Sequence, residues 1–185
     1  MSELARKLDN NLNLSENYKF NKAKVYFAKL LKGKKIKRII FFNPADVDDD
    51  IFDYNIAKRG RANNYPSYGL GILAAHLRKK KYKVDLCNLN HEVLKRVYFS
   101  EDNKDFNFLE TWQNIIDERV NNFKPDIVGV SCLFSVTHNS FKKVCAYIKN
   151  KYPAIPLLIG GVHVSHDLNG VINDLEGVDL VSLFE

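Results

Sequence analysis

The chain is poor in cysteine, methionine and tryptophan, and it contains no long apolar run. Its 185 residues include three cysteines, one methionine and one tryptophan. Cys87, Cys132 and Cys145 lie far apart and form neither a disulfide framework nor a C-x-x-C motif, which is typical of a reducing cytosol. No apolar run approaches the length of about 18 residues that a transmembrane helix needs. We therefore expect a cytoplasmic protein that does not contact a membrane.

The basic clusters of the chain are not interleaved with aromatic residues in a stacking pattern, although its formal net charge is +6. The positive charge is concentrated at residues 32–38 and 78–83. The second cluster falls at the end of a predicted helix, where cations complement the helix dipole. Binding to single-stranded nucleic acid would need aromatic platforms among these cations. We interpret both clusters as solvated surface and expect no nucleic-acid partner.

A regular alternation of apolar runs and helical stripes begins at residue 36. The runs predict five strands, at 36–43, 82–87, 126–131, 156–160 and 178–183. Between them, apolar residues recur at helical spacing: Leu70, Leu73, Ala74 and Leu77; Leu109, Trp112, Ile116, Val120 and Phe123; Phe141, Val144, Cys145 and Ile148; Leu168, Val171, Ile172 and Leu175. Strand–helix alternation of this kind indicates a parallel sheet with right-handed crossovers.

The composition of each run predicts its place in the sheet. Runs one, three and four are almost continuously apolar, as expected for strands buried on both faces. Runs two and five alternate between apolar and polar residues, which is typical of edge strands. The order 2-1-3-4-5 satisfies both observations. The predicted fold is therefore α/β, a doubly wound five-stranded parallel sheet of the flavodoxin-like (Rossmann-like) type.

The first 35 residues precede this alternation and are predicted to form a helical appendage. Residues 21–31 have the pattern of a short helix, and Gly33 is placed to end it. We assign residues 1–35 to the appendage and 36–185 to the α/β domain.

A ligand site in this fold lies at the carboxyl ends of the strands. Residues 43–68, after strand one, form an unusually long connection, and long connections in compact domains are often functional or disordered. Ser67 is predicted to cap the following helix, and Gly69 leaves space beside its first turn. Hydroxyl groups follow strand three, and Gly160 and Gly161 follow strand four, where they permit close approach of a ligand or simply a tight turn.

Three of these segments, taken together, resemble cobalamin-binding domains. That family commonly carries D-x-H-x-x-G after strand one, S-x-L after strand three and G-G after strand four. Residues 131–133 match S-x-L, and residues 160–161 match G-G. The first motif matches partly at residues 64–69, which keep Gly69 but have Asn64 for the aspartate and Pro66 for the histidine. Pro66 has no side-chain donor for cobalt.

Loss of that histidine is common in the branch of the family that precedes radical S-adenosylmethionine (radical SAM) domains. Residues 65–75, 125–131 and 160–163 look like that branch, and the resemblance covers about 37–185. It implies that cobalamin is bound base-off and without histidine, as the cofactor-binding part of a radical SAM enzyme, in particular a methyltransferase. The cofactor-binding residues that it implies are Tyr65, Pro66, Ser67, Tyr68, Gly69, Ser131, Leu133, Phe134, Thr137, Gly160, Gly161, Val162 and His163.

Within this set the resemblance implies a division of roles. Ser131 would bond the nucleotide tail, whose channel Gly160 and Gly161 would line, and residues 65–69 would lie near the lower corrin face. No metal ligand from this chain is expected.

Radical SAM enzymes bind a 4Fe–4S iron–sulfur cluster through C-x-x-x-C-x-x-C, because thiolates are its usual ligands. The sequence has no such motif. We expect the cluster and S-adenosylmethionine in a separate radical SAM domain, in cis or in trans. The ending directly after a predicted strand favours a fragment, and a stand-alone cobalamin carrier is the alternative. Whether the chain is itself an enzyme stays open.

Other functions on the same fold remain as alternatives. The acidic residues at 46–50 suggest a phosphorylatable receiver domain, but Ser131 stands near the place of its acceptor aspartate. A flavin mononucleotide site needs a hydroxyl- and glycine-rich phosphate loop after strand one, which 43–68 does not resemble. A cofactor-free interaction module is the third alternative.

Among the histidines, His163 follows the glycine pair and is placed to reach a ligand, to cap the next helix or to face solvent. His76 is expected on the surface, and His91 follows strand two at the same end of the sheet. His138 and His166 are expected to begin helices in structural roles.

Overall fold

The structure, a computed structural model, describes residues 16–102 and 106–183. The helices of this part are α1 (Glu16–Leu31), α2 (Tyr54–Lys58), α3 (Tyr68–Lys79), α4 (Leu89–Phe99), α5 (Phe108–Phe123), α6 (His138–Lys151), α7 (Val162–His166) and α8 (Leu168–Asp174). The strands are β1 (Arg38–Asn43), β2 (Lys83–Asn88), β3 (Ile127–Ser131), β4 (Leu157–Gly160) and β5 (Leu180–Val181). A 3-10 turn at Ser135–Thr137 precedes α6.

The five strands described form one parallel sheet in the order β2-β1-β3-β4-β5. The predicted order and the predicted edge strands are confirmed, and the fold is flavodoxin-like. The register places Asn43 opposite Asn88 and Ser131 opposite Gly160. The carboxyl ends of four strands therefore meet along one edge of the sheet, and we call this the carboxyl edge.

Helices cover the two faces of the sheet unequally. The larger core cluster joins one face of the sheet to α4, α5, α6 and α8, with Trp112, Ile116, Phe141 and Ile148 buried at its centre. The smaller cluster on the other face joins β1, β2 and β3 to α3. This asymmetry follows from right-handed crossovers, because only the β1–β2 connection runs in the opposite direction along the sheet. Among the described residues, no helix is both long enough and apolar enough to cross a bilayer.

Two aspartates at the amino end of the sheet fix the register of neighbouring strands. The Asp126 carboxylate accepts hydrogen bonds from the backbone N–H groups of Lys37 and Arg38, both at 2.8 Å. The Asp179 carboxylate accepts from the Leu157 N–H at 2.8 Å and from Lys149 Nζ at 2.7 Å. Hydrogen bonds to ionised groups are stronger than neutral ones, so each aspartate stabilises one strand pairing.

Several elements differ from their prediction. Strand β5 has two residues where six were predicted, although backbone bonds from Asp179 N and Ser182 N to β4 flank it. Helices α2 and α4 were not predicted. His166 ends α7 instead of beginning a helix, whereas His138 begins α6 as predicted. The division at residue 35 stays a prediction: α1 ends at Leu31 before Gly33, which has φ +77°, and residues 1–15 lie outside the described residues.

Asp117 links α5 to α6, and its replacement by asparagine is expected to destabilise the fold by about 1–2 kcal/mol at neutral pH. Its carboxylate accepts from Tyr147 Oη at 3.0 Å, Tyr152 Oη at 2.7 Å and Lys151 Nζ at 3.0 Å. Burial raises the pKa of Asp117, but these three donors together lower it below its usual value. A lowered folded-state pKa contributes stability above the unfolded pKa, and this contribution is lost as the pH falls through the folded value.

The difference between wild type and Asp117→Asn in urea unfolding should therefore shrink below about pH 4. Glu118→Gln is the matched control: Glu118, on the same helix as Asp117, forms an exposed ion pair with Arg96 of α4, so its replacement should change stability little. An unchanged difference between pH 7 and pH 3 would contradict this account.

Candidate functional site at the carboxyl edge

Gly161 joins β4 to α7 in a backbone conformation that other residues rarely adopt. Its φ is +106° and its ψ is 169°, a region that is essentially restricted to glycine. A Cβ at this position would lie 2.4 Å from the carbonyl oxygen of Cys132 and 2.9 Å from Ser131 Oγ. The turn after β4 therefore packs directly on the turn after β3, and there is no room between them for a side chain at position 161.

The turn after β3 uses its own polar groups to hold its shape. The Thr137 hydroxyl donates to the carbonyl of Phe134 at 2.8 Å, and the Cys132 N–H donates to the carbonyl of Gly160 at 2.8 Å. Burial raises the pKa of the Cys132 thiol, so it stays neutral. The Ser131 hydroxyl, by contrast, makes no hydrogen bond to any described side chain or backbone group and is half-buried beside Gly161.

Exposed apolar side chains surround these turns. They are Tyr65, Leu133, Phe134, Val136 and Val162, and we call them the apolar rim. Val136 keeps 79% of its surface and Tyr65 keeps 64%. A cluster of this size at one edge of the sheet is typical of a surface that binds a large ligand or another domain.

The long connection between β1 and α3 is an ordered structure that side chains after β2 hold in place. Asn88 Nδ2 donates to the carbonyl of Tyr65 at 3.0 Å, and Asn90 Nδ2 donates to the carbonyl of Asn63 at 2.8 Å. Asn90 also accepts from the Asp46 N–H at 3.1 Å. The edge strand β2 and the start of α4 therefore position the segment that carries the partial first motif.

Helix α2, inside this connection, is fastened to the end of α4. Asp53 caps α2 by accepting from the Ile56 N–H at 2.9 Å. Lys58 Nζ donates to the carbonyls of Val97 at 3.2 Å and Tyr98 at 2.9 Å, and also to that of Ser100. Carbonyls at a helix end lack intrahelical partners, and a lysine ammonium satisfies them favourably.

Lys58→Met is expected to increase trypsin cleavage after Arg61 about tenfold, because three charge-assisted hydrogen bonds that hold α2 are lost. The rate is followed by mass spectrometry under native conditions. Lys95→Met is the matched control, since Lys95 is exposed on α4 and has no partner among the described contacts. Equal cleavage rates in both variants would show that Lys58 does not hold the connection.

A cavity of about 420 Å³ lies between the connection and the turn after β3. Tyr65, Phe134 and Thr137 line it, together with the polar side chains of Asp46 and Arg61. Burial raises the pKa of Asp46. The neighbouring acids are neutralised from α6: Lys143 Nζ lies 2.5 Å from Asp49 Oδ1 and 3.3 Å from Asp50 Oδ2. Asp49 and Asp50 are thus engaged in ion pairing.

His163 lies buried beneath the apolar rim, which excludes the alternative that it faces solvent, and its role toward a ligand stays a prediction. Its N–H donates to the Cys132 carbonyl at 3.2 Å. Its Nδ1 lies 3.0 Å from Ser135 Oγ, and its Nε2 lies 3.0 Å from His138 Nδ1. His138 Nε2 in turn lies 2.8 Å from Asp174 Oδ2. Burial lowers the pKa of His163, and the charge of His138 lowers it further.

The structure places the predicted site residues in three groups along the carboxyl edge. The first group lies at the turns after β3 and β4 and consists of Ser131, Leu133, Gly160, Gly161, Val162 and His163. The second group lines the cavity and consists of Tyr65, Phe134 and Thr137. The third group, which lies outside the cavity lining, consists of Pro66, Ser67, Tyr68 and Gly69. Ser67 makes no capping bond, contrary to its prediction, and its buried Oγ has no partner among the described atoms.

Sequence reasoning missed the polar residues that organise this edge. Asn88 and Asn90 directly follow a strand, where polar side chains signal a site, and this signal was available. Ser135 and Asp174 carried no comparable signal, because their partners are 28 and 36 residues away in sequence. His76 is exposed on α3 and His91 lies at the carboxyl edge, both as predicted.

Comparison with known proteins identifies the family. No curated protein matches the chain. A family model described as "B12 binding domain" matches residues 54–185, which is well over half of the chain and includes the turns after β3 and β4. The described strand order agrees with that match. The chain belongs to the B12-binding domain family, whose ligand is cobalamin.

Proposed function

We propose that the chain holds cobalamin base-off, with no protein histidine on the cobalt, as the cofactor-binding part of a radical SAM methyltransferase. The observation that carries the proposal is the Gly161 turn, where the absence of a side chain leaves the Ser131 hydroxyl accessible beside the β4–α7 junction. Cobalamin, when bound, supplies a cobalt centre that accepts and donates methyl groups. The residues of this chain bind and orient it.

The residues present fit the nucleotide tail of that cofactor. Ser131 offers a hydroxyl that no described group uses, and a hydroxyl can both donate and accept. Gly160 and Gly161, which the resemblance assigns to the tail channel, carry no side chains that could cover the Ser131 hydroxyl. Leu133 and Val162 of the apolar rim are placed to contact the displaced base, whose aromatic surface favours apolar neighbours.

The lower corrin face is assigned to residues 65–69, and two observations support the absence of a histidine ligand there. Pro66 stands where related motifs place histidine and has no donor atom. His91, which contacts the connection, has Nδ1 at 3.1 Å from Asn64 Nδ2. If the amide donates to Nδ1, the proton of neutral His91 lies on Nε2, and neither ring nitrogen keeps a free lone pair for cobalt.

The radical SAM partner, in cis or in trans, would carry the iron–sulfur cluster and S-adenosylmethionine. The three cysteines are buried, and burial raises the pKa of each thiol, that of Cys87 to about 12, so none is suited to ligate a cluster. The apolar rim is a surface that a bound corrin and a second domain would cover together. A cytoplasmic location suits this chemistry, because the cluster and its thiolates need reducing conditions.

The experiment that tests the proposal is a titration of the purified chain with hydroxocobalamin, followed by desalting and an absorption spectrum. Retention of about one corrin per chain in base-off form supports the proposal. Complete loss of the corrin overturns it and favours the cofactor-free interaction module.

The axial ligand is tested by electron paramagnetic resonance of the bound cob(II)alamin form. We expect no nitrogen hyperfine splitting from an axial ligand, because no imidazole reaches the metal. Splitting that disappears in His91→Gln would identify His91 as the ligand and contradict the histidine-free geometry.

A further inference from the structure

A chain of four side chains crosses three helices beside the predicted tail channel. It runs from Ser135 in the turn after β3, through His163 on α7 and His138 on α6, to Asp174 at the end of α8. Its three links measure 3.0, 3.0 and 2.8 Å. Ser135 and Asp174 are exposed, whereas His163 is buried. We call this set the Ser135–Asp174 chain.

The carboxylate at one end determines where every proton lies when both imidazoles are neutral. Asp174 is only an acceptor, so His138 must carry its proton on Nε2, which leaves His138 Nδ1 as an acceptor. His163 then donates from Nε2 and accepts on Nδ1. The Ser135 hydroxyl is therefore the donor of the last link, and only its lone pairs are directed away from the chain.

One added proton on His138 reverses the donor and the acceptor in two hydrogen bonds, that between His138 and His163 and that between His163 and Ser135. A doubly protonated His138 donates from Nδ1 to His163 Nε2, and His163 then carries its proton on Nδ1. His163 Nδ1 donates to Ser135 Oγ, and the serine proton is released to point outward. A second added proton would set two N–H groups against each other at the 3.0 Å link between the imidazoles, so the pair accepts one proton but not two.

Some charged groups around the Ser135–Asp174 chain favour its protonation, and others oppose it. On α6, Lys142 Nζ lies 2.5 Å from Asp174 Oδ1, and this bond, followed by that from His138, lowers the pKa of Asp174 and keeps it ionised. Asp167, between α7 and α8, favours a charged His163, whereas burial and the charge of His138 disfavour it. The neutral Cys132 thiol faces the same turn from β3.

We infer that the Ser135–Asp174 chain is a one-proton switch for the Ser135 hydroxyl, and that its protonated state binds the phosphodiester anion of the cobalamin nucleotide tail. The inference rests on the proposed function. Ser135 lies in the turn after β3 and contacts His163 after β4, next to the channel assigned to the tail. In the neutral state the outward lone pairs of Ser135 repel an anion. In the protonated state the outward O–H and the nearby positive charge attract it.

The switch itself is tested without a ligand, by NMR of nitrogen-labelled histidine side chains across pH 5–8. We expect both His138 and His163 as Nε2–H tautomers at high pH and joint uptake of one proton as the pH falls. Asp174→Asn should uncouple the two imidazoles, because the obligate acceptor is gone. Independent titration of the two histidines in wild type, or an Nδ1–H tautomer at high pH, overturns the switch.

The ligand is tested by comparing methylcobalamin with methylcobinamide, which lacks the phosphodiester and the base. If binding takes up one proton, affinity rises up to about tenfold for each unit by which the pH falls. This slope applies over the pH range in which the Ser135–Asp174 chain is protonated in the complex but not in the free protein. We expect this slope for methylcobalamin and a flat profile for methylcobinamide. His138→Gln should remove the slope, and His76→Gln, an exposed histidine on α3, should keep it.

The outcomes separate the two proposals. Equal slopes for both corrinoids, or a slope that survives in both His138→Gln and Asp174→Asn, overturns the anion site while leaving cobalamin binding intact. Failure of both corrinoids to bind at any pH overturns the proposed function and the anion site together, and the NMR titration still decides whether the switch exists. Thermal unfolding confirms that each variant is folded.

Discussion

Gly161→Ala is expected to lower the free energy of unfolding by about 2–4 kcal/mol and to abolish retention of cobalamin. Two independent causes act at this position. The backbone lies in a region where any Cβ is strained, and the added methyl would meet the Cys132 carbonyl at 2.4 Å. The turn must move to relieve the contact, which displaces Val162 and His163 from the carboxyl edge.

Urea unfolding measures the change in stability, and a spin-column assay measures corrin retention. Gly71→Ala is the matched control: Gly71 lies in α3 with nothing within 4 Å of an added Cβ. Alanine there should raise stability by about 0.5–1 kcal/mol, because it favours the helix. If Gly161→Ala proves as stable as wild type, neither the positive φ at Gly161 nor the contact with the Cys132 carbonyl excludes a side chain there.

Ser131→Tyr is expected to weaken cobalamin binding at least about a hundredfold while the domain stays folded. Ser131 is half-buried at the end of β3, directly opposite Gly160 in the neighbouring strand. A phenol ring at this position would occupy the place proposed for the nucleotide tail. Displacing a bound tail forfeits its apolar contacts and hydrogen bonds, and a loss of about 3 kcal/mol corresponds to this factor.

Ser131→Ala separates the volume of the channel from the hydroxyl. It leaves the channel open and removes a single hydrogen bond, so we expect a loss of about tenfold. Calorimetric titration at one pH measures all three proteins. Unchanged affinity in Ser131→Tyr would place the ligand elsewhere, and the cavity beside Tyr65 and Phe134 would then be the next candidate.

The sheet was predictable because its signal is local and periodic. Runs buried on both faces must be apolar throughout, and this property alone distinguished β1, β3 and β4 from the edge strands. The glycine pair was recognisable for a similar reason, since two consecutive glycines directly after a predicted strand are a local signal of a tight turn. Their roles toward the cofactor remain predictions that the variants above test.

The rest of the carboxyl edge depends on contacts between distant segments. The path of the connection after β1 follows from Asn90 reaching Asn63, 27 residues away. The burial of His163 follows from α6 and α8 supplying His138 and Asp174. No periodicity encodes such pairings, because each depends on how the elements pack. Helix α4 was missed although Leu89, Val93 and Val97 recur at helical spacing in it.

Asp126 and Asp179, at the amino end of the sheet, should protect the backbone amides of the strands from exchange more at that end than at the carboxyl edge. Leu157 and Arg38 have amide hydrogens bonded to carboxylates at that end, whereas the opposite end is joined through the glycine turn at Gly161. Amide exchange should therefore be slowest near Asp126 and Asp179 and fastest near the turns after β3 and β4, since exchange reports the free energy of local opening. A large ligand can then enter by opening one end of the domain, while strand pairing at the other end stays intact.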